Sequence, residues 1–271
     1  MGRLMKRVLV VGSPRSGTTL LQRVLSEAWA LTSFPETHLL ETLLGESRIR
    51  RRLGLANSNT GVKRMTAFLE EAGIATEERI ATVRNMSSLS LTAWLSWMCD
   101  LFDEVANERG AVGWVEKTPR HLQYLPAIIA RVPNLYVVHI LRSGMDTVAS
   151  VVDVTNRHPD AWGGSRTLDQ ASKRWLFDIS QHRRWVGHPN HRFVHFCDLV
   201  RDPRIVQRYL FAEIGLEFSV DGSLLIERND SNCDLSISPA PEPTQGGQNP
   251  SLAPFITSGE VWKKAALGTI S

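Results

Sequence analysis

The sequence has few cysteines, and their number and spacing indicate neither a metal site nor a disulfide framework. Only three occur in 271 residues, Cys99, Cys197 and Cys233, and no two of them form a Cys-x-x-Cys metal signature. An odd number of distant cysteines argues against the disulfide framework of a small secreted domain. This pattern favours a reducing compartment, and we expect a cytoplasmic protein.

The chain also lacks long apolar runs and a strong excess of charge. No run approaches the roughly 18 apolar residues of a membrane span, so no transmembrane segment is expected. The first strand pattern begins at Arg7, which leaves no room ahead of it for a signal peptide. Lysine and arginine number 31 against 28 acidic residues, a net charge of +3, too even to predict nucleic-acid binding.

Four short apolar runs, separated by helical patterns, predict a parallel sheet that is covered on both faces. They span 7–11, 111–115, 135–141 and 192–196. A helical pattern over 121–131 lies between the second and third runs. The fold class is therefore α/β, with a P-loop-like central parallel sheet flanked by helices.

The whole chain, 1–271, is predicted to be one domain with two irregularities. Residues 38–110 carry helical patterns without a strand signal, and we interpret them as a helical insertion that shapes an acceptor region. Plain core packing explains these residues equally well. Residues 228–256 are rich in Pro, Gly, Ser and Asn, which predicts a lid or a disordered loop.

The first apolar run leads into a glycine-bounded loop that lacks the lysine of a nucleotide triphosphate site. The loop reads Gly12-Ser13-Pro14-Arg15-Ser16-Gly17-Thr18-Thr19, and a helical pattern starts at Leu20. Strand, loop and helix in this order direct backbone N–H groups and the helix dipole at an anion. The glycine spacing is that of a Walker A loop, but Thr18 stands where the lysine should be.

Arg15 changes what this loop is suited to bind. Its planar guanidinium matches two oxygens of a phosphate or sulfate. Ser16, Thr18 and Thr19 add hydroxyl groups beside the backbone amides. This set suits a 5′-phosphosulfate bound without metal better than a magnesium-held triphosphate.

The loop resembles the 5′-phosphosulfate loop of sulfotransferases that use 3′-phosphoadenosine 5′-phosphosulfate (PAPS). The resemblance is to the bacterial type, which is related to protein-tyrosine sulfotransferases, and it runs from Val8 to about Lys263. It implies that the donor is PAPS, that PAP is the product and that no metal is needed. The loop residues that would bind the donor are Pro14, Arg15, Ser16, Gly17, Thr18 and Thr19.

A second segment, Pro35-Glu36-Thr37-His38, is similar to the Pro-Glu-Thr-His segment of bacterial sulfotransferases. By this resemblance Glu36 is the base that activates the acceptor hydroxyl. A carboxylate that faces a closed pocket has its pKa raised toward neutrality by desolvation, which makes it a competent base. His38 is the rival base, because the ordinary pKa of histidine is nearer neutrality.

A third segment, Glu116-Lys117-Thr118-Pro119, resembles the Lys-Thr-Pro segment of the same enzymes. By resemblance Lys117 contacts the sulfuryl group and the bridging oxygen, where charge builds as the S–O bond breaks. In cytosolic sulfotransferases a histidine stands at the place of Pro119 and is the base. Its absence strengthens the case for Glu36, and His121 stays open as an alternative.

Three later segments complete the resemblance. Arg142 and Ser150 lie eight positions apart, as do the arginine and serine that hold the 3′-phosphate in sulfotransferases. Phe196 stands where the family has a tyrosine near the adenine; it can stack on the base but cannot donate a hydrogen bond. Ser258 and Lys263 resemble the late segment that closes over the donor.

The function implied is transfer of the sulfuryl group from PAPS to a hydroxyl acceptor. The acceptor stays open among a small molecule, a lipid, a glycan, a carrier-bound alcohol and a tyrosine, and so does the oligomeric state. One alternative is a P-loop kinase or NTPase, for which Asp198 is the only candidate Walker B aspartate. Another is a non-catalytic protein that binds PAP or another nucleotide.

Overall fold

The computed structural model describes residues 5–45, 47–86 and 89–214, without the side chains at positions 29, 48 and 51. All of them belong to the first of the two units into which the chain divides, Met1–Leu224 and Leu225–Ser271. The segment 228–256 and the residues Ser258 and Lys263 lie outside the described residues. Their roles, like the extent of a single domain over 1–271, stay predictions.

Five parallel strands form the centre of the fold, in the order β2-β3-β1-β4-β5. Because the strands are all parallel, the loops that follow them gather at one edge of the sheet, where α/β folds bind ligands. The predicted α/β class with a central parallel sheet is confirmed. The bounds of the strands are β1 Lys6–Gly12, β2 Leu31–Phe34, β3 Gly113–Lys117, β4 Leu135–Leu141 and β5 His191–His195.

Four of these strands match the predicted runs to within two residues, but β2 was not predicted. It has four residues, Leu-Thr-Ser-Phe, and follows the first helix after Ala30 alone, which adopts a left-handed conformation at φ 50°. A strand this short, with two polar residues in its centre, lacks the continuous apolar run that marks a buried strand. The segment Pro35–His38 therefore follows a strand instead of a helix.

Helices cover the sheet and fill the segment between β2 and β3. The predicted helix at 121–131 is in fact two pieces, a 3-10 helix and α7, each with a proline in its first turn. Proline is tolerated only at that position, so Pro126 separates the pieces. The bounds are α1 Thr18–Trp29, α2 Leu39–Leu44, α3 Arg48–Leu53, α4 Ser58–Glu71, α5 Glu77–Arg84, α6 Leu91–Glu108, the 3-10 helix Pro119–Tyr124, α7 Leu125–Ile129, α8 Gly144–Arg157, α9 Pro159–Trp162, α10 Leu168–Arg183, α11 Phe196–Arg201 and α12 Pro203–Ile214.

The segment predicted as a helical insertion contains helices α2 to α6. Aromatic side chains pack this segment against the sheet. Phe34 at the end of β2 stacks on Phe102 of α6, with ring centroids 4.0 Å apart. Phe68 of α4 lies against the same pair. All three rings are buried. This packing holds the end of β2, and the segment that follows it, in a fixed position.

Three buried histidines form a hydrogen-bonded chain between β4, β5 and α10. His139 lies in the middle, with Nδ1 2.8 Å from Nδ1 of His182 and Nε2 2.8 Å from Nδ1 of His191. Burial lowers the pKa of His182 and of His191 to about 3. Burial and the two neighbouring rings lower the pKa of His139 well below its ordinary value. The three rings are therefore neutral at physiological pH.

This chain of histidines makes the fold sensitive to acid. Below pH 6.5 these histidines bind protons in the unfolded protein but stay neutral in the folded protein. The free energy of unfolding that is present above pH 6.5 is therefore lost as pH falls toward 3. Each such histidine contributes a loss of about 1.4 kcal/mol per pH unit. Urea unfolding between pH 7.5 and 4.5 should show a shallower pH slope in His139→Phe than in the natural sequence.

The exposed His158 offers a matched control, because its ring is not held in the core. His158→Gln should keep the natural slope. If the unfolding free energies of His139→Phe and the natural sequence had equal pH slopes, these histidines would not be the source of the acid sensitivity.

Candidate functional site

The loop between β1 and α1 is folded as a tight turn with open backbone amides. Both the backbone N–H and the hydroxyl of Ser16 donate to the Ser13 carbonyl, at 3.1 and 2.7 Å. Gly17 precedes α1 at φ 97°, and no side chain caps the helix. The first N–H groups of α1 therefore lack a side-chain acceptor, the arrangement that binds anions at a helix start.

Position 17 needs a glycine because the Phe196 ring packs directly against it. A Cβ atom at Gly17 would lie 2.4 Å from the Phe196 ring, and its positive φ is strained for other residues. Phe196 starts α11, directly after β5. The guanidinium of Arg142 lies over the same ring, 4.5 Å from its centroid. Phe196 thus packs between Gly17 of the loop and the Arg142 guanidinium.

Arg15, Arg142 and Ser150 are brought together beside the loop. Nε of Arg15 donates to the Ser150 hydroxyl at 3.1 Å, and Arg142 donates to the Arg15 carbonyl at 3.0 Å. Nε of Arg142 is buried and has no hydrogen-bond partner among the described residues. A buried N–H without an acceptor is costly. An anion beside Arg142 and Ser150 would supply the missing acceptor.

A second cluster lies where β2 and β3 end. The Lys117 ammonium is in direct contact with one carboxylate oxygen of Glu36. The other oxygen lies 3.2 Å from Nε2 of His38. The Glu36 side chain is 32% exposed, so it is not enclosed by the described residues as the desolvation argument expected. Hydrogen bonding to Glu41 raises the pKa of His38, although burial opposes it.

Glu116 holds the two strand ends together. Its carboxylate accepts the backbone N–H of Thr37 at 3.1 Å and the Thr37 hydroxyl at 3.0 Å. The Thr118 hydroxyl donates to the same oxygen. The second oxygen lies 3.3 Å from His121. Burial raises the pKa of Glu116, but the His121 charge and these hydrogen bonds outweigh it and leave the pKa below its ordinary value.

Arg64 of α4 holds the backbone of the Glu36 segment from the other side. Its guanidinium donates to the Glu36 carbonyl at 2.6 Å and to the Thr37 carbonyl at 2.8 Å. It also pairs with Glu71 at 2.8 Å. The sequence carries no signal for Arg64, because nothing in a helical pattern separates it from the solvated charges around it.

The remaining predicted residues occupy different environments. Thr18 is buried, while Pro14 is half-buried and Thr19 is exposed. Ser16 uses its hydroxyl inside the loop. His121 is 1% exposed and faces Glu116, so it is removed from the surface where Glu36 lies.

A cavity of about 380 Å³ begins at the loop and extends between α8 and α10. Its wall includes Ser13 and Pro14 of the loop and Arg120 of the 3-10 helix. Asp178 of α10 lies in this wall and is bound by Arg174, with Nε 3.0 Å from a carboxylate oxygen. Burial raises the pKa of Asp178, and Arg174 and the Ser13 side chain oppose that rise. Sequence reasoning did not find Asp178.

Replacing Glu116 with glutamine tests its structural role. The amide keeps one acceptor oxygen but loses the charge that Thr37, Thr118 and His121 face, so the free energy of unfolding should fall by about 1–3 kcal/mol. Urea denaturation measures this. Glu104→Gln is the control, since Glu104 is 58% exposed in its pair with Arg79. Similar small losses in both variants would contradict the role assigned to Glu116.

The architecture is similar to that of solved sulfotransferase domains. A sulfotransferase domain from the curacin biosynthetic pathway aligns with a TM-score of 0.55 at 20% identity, covering 81% of this chain and 77% of that chain. The sulfotransferase domain of the Synechococcus PCC 7002 olefin synthase aligns with a TM-score of 0.50 at 22% identity, covering 79% and 74%. At these identities the likeness shows the fold.

Sequence comparison identifies the family. No curated protein sequence matches the chain significantly. Among the described helices, none is long and apolar enough to cross a membrane. The profile of the sulfotransferase family matches residues 7–220, which is more than half of the chain. On this match, the chain belongs to the sulfotransferase family.

Proposed function

We propose that this sulfotransferase transfers the sulfuryl group of PAPS to a hydroxyl acceptor. The observation that carries the proposal is the contact between Glu36 and Lys117. Lys117 ends β3 and Glu36 follows β2, so the contact joins the carboxyl ends of two neighbouring strands. The resemblance implies that Glu36 is the base and that Lys117 meets the leaving oxygen, and their contact supports that proposal.

The residues around the loop fit the two anionic groups of the donor. The open amides of α1 and the Arg15 guanidinium would hold the 5′-phosphosulfate. Arg142 and Ser150 would hold the 3′-phosphate, which gives the buried Nε of Arg142 an acceptor. Phe196 would stack on the adenine. When bound, PAPS supplies an activated sulfuryl group with PAP as the leaving group.

In the proposed reaction Glu36 takes the proton of the acceptor hydroxyl. The acceptor oxygen forms a bond to sulfur as the bond from sulfur to the phosphate oxygen breaks. Lys117 donates to that departing oxygen and stabilises the charge that develops on it. Its contact with Glu36 also fixes the base, so positioning contributes to the rate.

The structure weakens the two rival bases. Because the pKa of His38 is raised, its ring keeps a proton over more of the neutral range and is less able to accept one. His121 is buried against Glu116 and does not contact Glu36.

A kinase or NTPase reaction has less support. Thr18 replaces the Walker A lysine, and Asp198, the only candidate Walker B residue, is exposed in the first turn of α11. The family match also names sulfotransferases.

The other alternative is a protein that binds PAP without transferring the sulfuryl group. An assay with [35S]PAPS and a panel of hydroxyl compounds decides it. PAP binding without transfer to any compound would favour it.

Glu36→Gln tests the base. Removing a general base lowers turnover by about 10²–10⁴-fold. The affinity for PAP should persist, because Glu36 is not among the groups proposed to hold it. Glu70→Gln, an exposed change on α4, is the control for the loss of one acid. Unchanged turnover in Glu36→Gln would move the role of base to another residue.

Arg142→Met tests the site of the 3′-phosphate. The substitution keeps an apolar side chain over Phe196 but removes the charge-assisted hydrogen bonds, so PAP should bind about 10–100-fold more weakly. Adenosine 5′-phosphate, which lacks the 3′-phosphate, should lose far less in the same calorimetric titration. Arg201→Met, an exposed change on α11, is the control. Equal losses for the two nucleotides would refute the assignment.

A further inference from the structure

We infer that the cavity between α8 and α10 is the acceptor site, and that the acceptor carries a carboxylate or phosphate which Arg166 binds. This inference rests on the proposed function, because it names the substrate class of the same enzyme. It is carried by the shape of the cavity and by the charge of its wall.

Apart from Pro14, the cavity is separate from the residues that would hold the donor. It begins at Ser13 and Pro14, at the start of the loop, and continues along α8 and α10. Arg15, Arg142, Ser150 and Phe196 do not line it. A compound in the cavity would therefore approach the loop without occupying the proposed nucleotide site.

The size and the walls of the cavity suit a compact molecule with an apolar body. About 380 Å³ lies within the range of small-molecule sites. Two tryptophans, Trp162 and Trp175, and two valines of α8, Val148 and Val151, form apolar wall. Gly144 allows Trp175 this position, since a Cβ there would meet the indole at 2.9 Å.

The charge of the cavity is positive and incompletely neutralised. Arg174 is bound to Asp178 at 3.0 Å, and Arg120 lies 3.3 Å from Glu41. Arg166, an exposed residue that also lines the cavity, forms no ion pair within the described part of the chain. Its backbone N–H donates to the Thr155 hydroxyl at 3.0 Å, which fixes the base of the side chain. An unpaired guanidinium beside an apolar cavity suits a carboxylate or phosphate on the ligand.

Neutral lipids and unmodified hydrocarbons offer no counterpart to the Arg166 guanidinium.

The test uses matched phenols with the full-length protein saturated with PAP. The probes are 4-hydroxyphenylacetate, its methyl ester and 2-(4-hydroxyphenyl)ethyl phosphate. The acetate tests for a carboxylate ligand, the phosphate compound tests for a phosphate ligand, and the methyl ester is the neutral comparison. Calorimetry measures binding, and [35S]PAPS with the unliganded protein measures transfer. We expect at least one anionic probe to bind about 10–100-fold more tightly than the ester.

Arg166→Gln should remove this preference and leave the affinity for PAP and for the ester unchanged. Arg166→Lys should restore part of it, because the charge returns without the planar fork. Lys173→Gln is the matched control, since Lys173 is 75% exposed on α10 and paired with Asp169. It should behave as the natural sequence.

The outcomes separate this inference from the proposed function. Equal binding of acid and ester, no binding of any probe, or a preference that survives Arg166→Gln would overturn the inference, even where PAPS-dependent transfer to other hydroxyl compounds is found. Loss of PAP affinity in Arg166→Gln would also overturn it, by assigning the cavity to the donor. Anion binding that depends on Arg166, without transfer to any hydroxyl compound, would support the anion site and count against the proposed function.

Discussion

The buried carboxylate of Glu116 is the group on which the geometry of the site depends. It lies at the end of β3, and it accepts hydrogen bonds from Thr37 after β2 and from Thr118 after β3. A buried charge of this kind is stable only when it is fully hydrogen-bonded or paired. That requirement forces the two strand ends into one arrangement, and the arrangement brings Glu36 against Lys117.

Glu116 does not act alone in placing Glu36. Arg64 of α4 donates to the backbone carbonyls of Glu36 and Thr37. The stacked rings of Phe34 and Phe102 fix the strand that leads into this segment. The helical insertion therefore has a role beyond core packing, because it supports the segment that carries the proposed base. On the opposite side, Phe196 and Arg142 fix the loop in the same way.

The sequence predicts most of this fold, and it fails where a contact depends on residues far apart in the chain. Four strands are recognisable because each is a continuous apolar run, whereas β2 is short, with two polar residues at its centre. The loop is recognisable from its glycine spacing and Arg15, whereas Lys117 and Arg142 are predicted only through the resemblance to sulfotransferases. Arg64 and Asp178 are not, because each resembles an ordinary helical charge until its partner is known. Glu116 left a weak signal, an acid beside Lys117 at the end of a buried strand.

We propose that the Gly12–Thr19 loop, which lacks a lysine, belongs to a PAPS site and not to a nucleotide triphosphate site. Thermal unfolding with either ligand tests this most directly. At a concentration of about 100 times Kd, a ligand adds about 2.7 kcal/mol of stability, which raises Tm by several degrees. We predict that PAP raises Tm without metal and that ATP with magnesium does not. Stabilisation by ATP with magnesium, and none by PAP, would contradict the account.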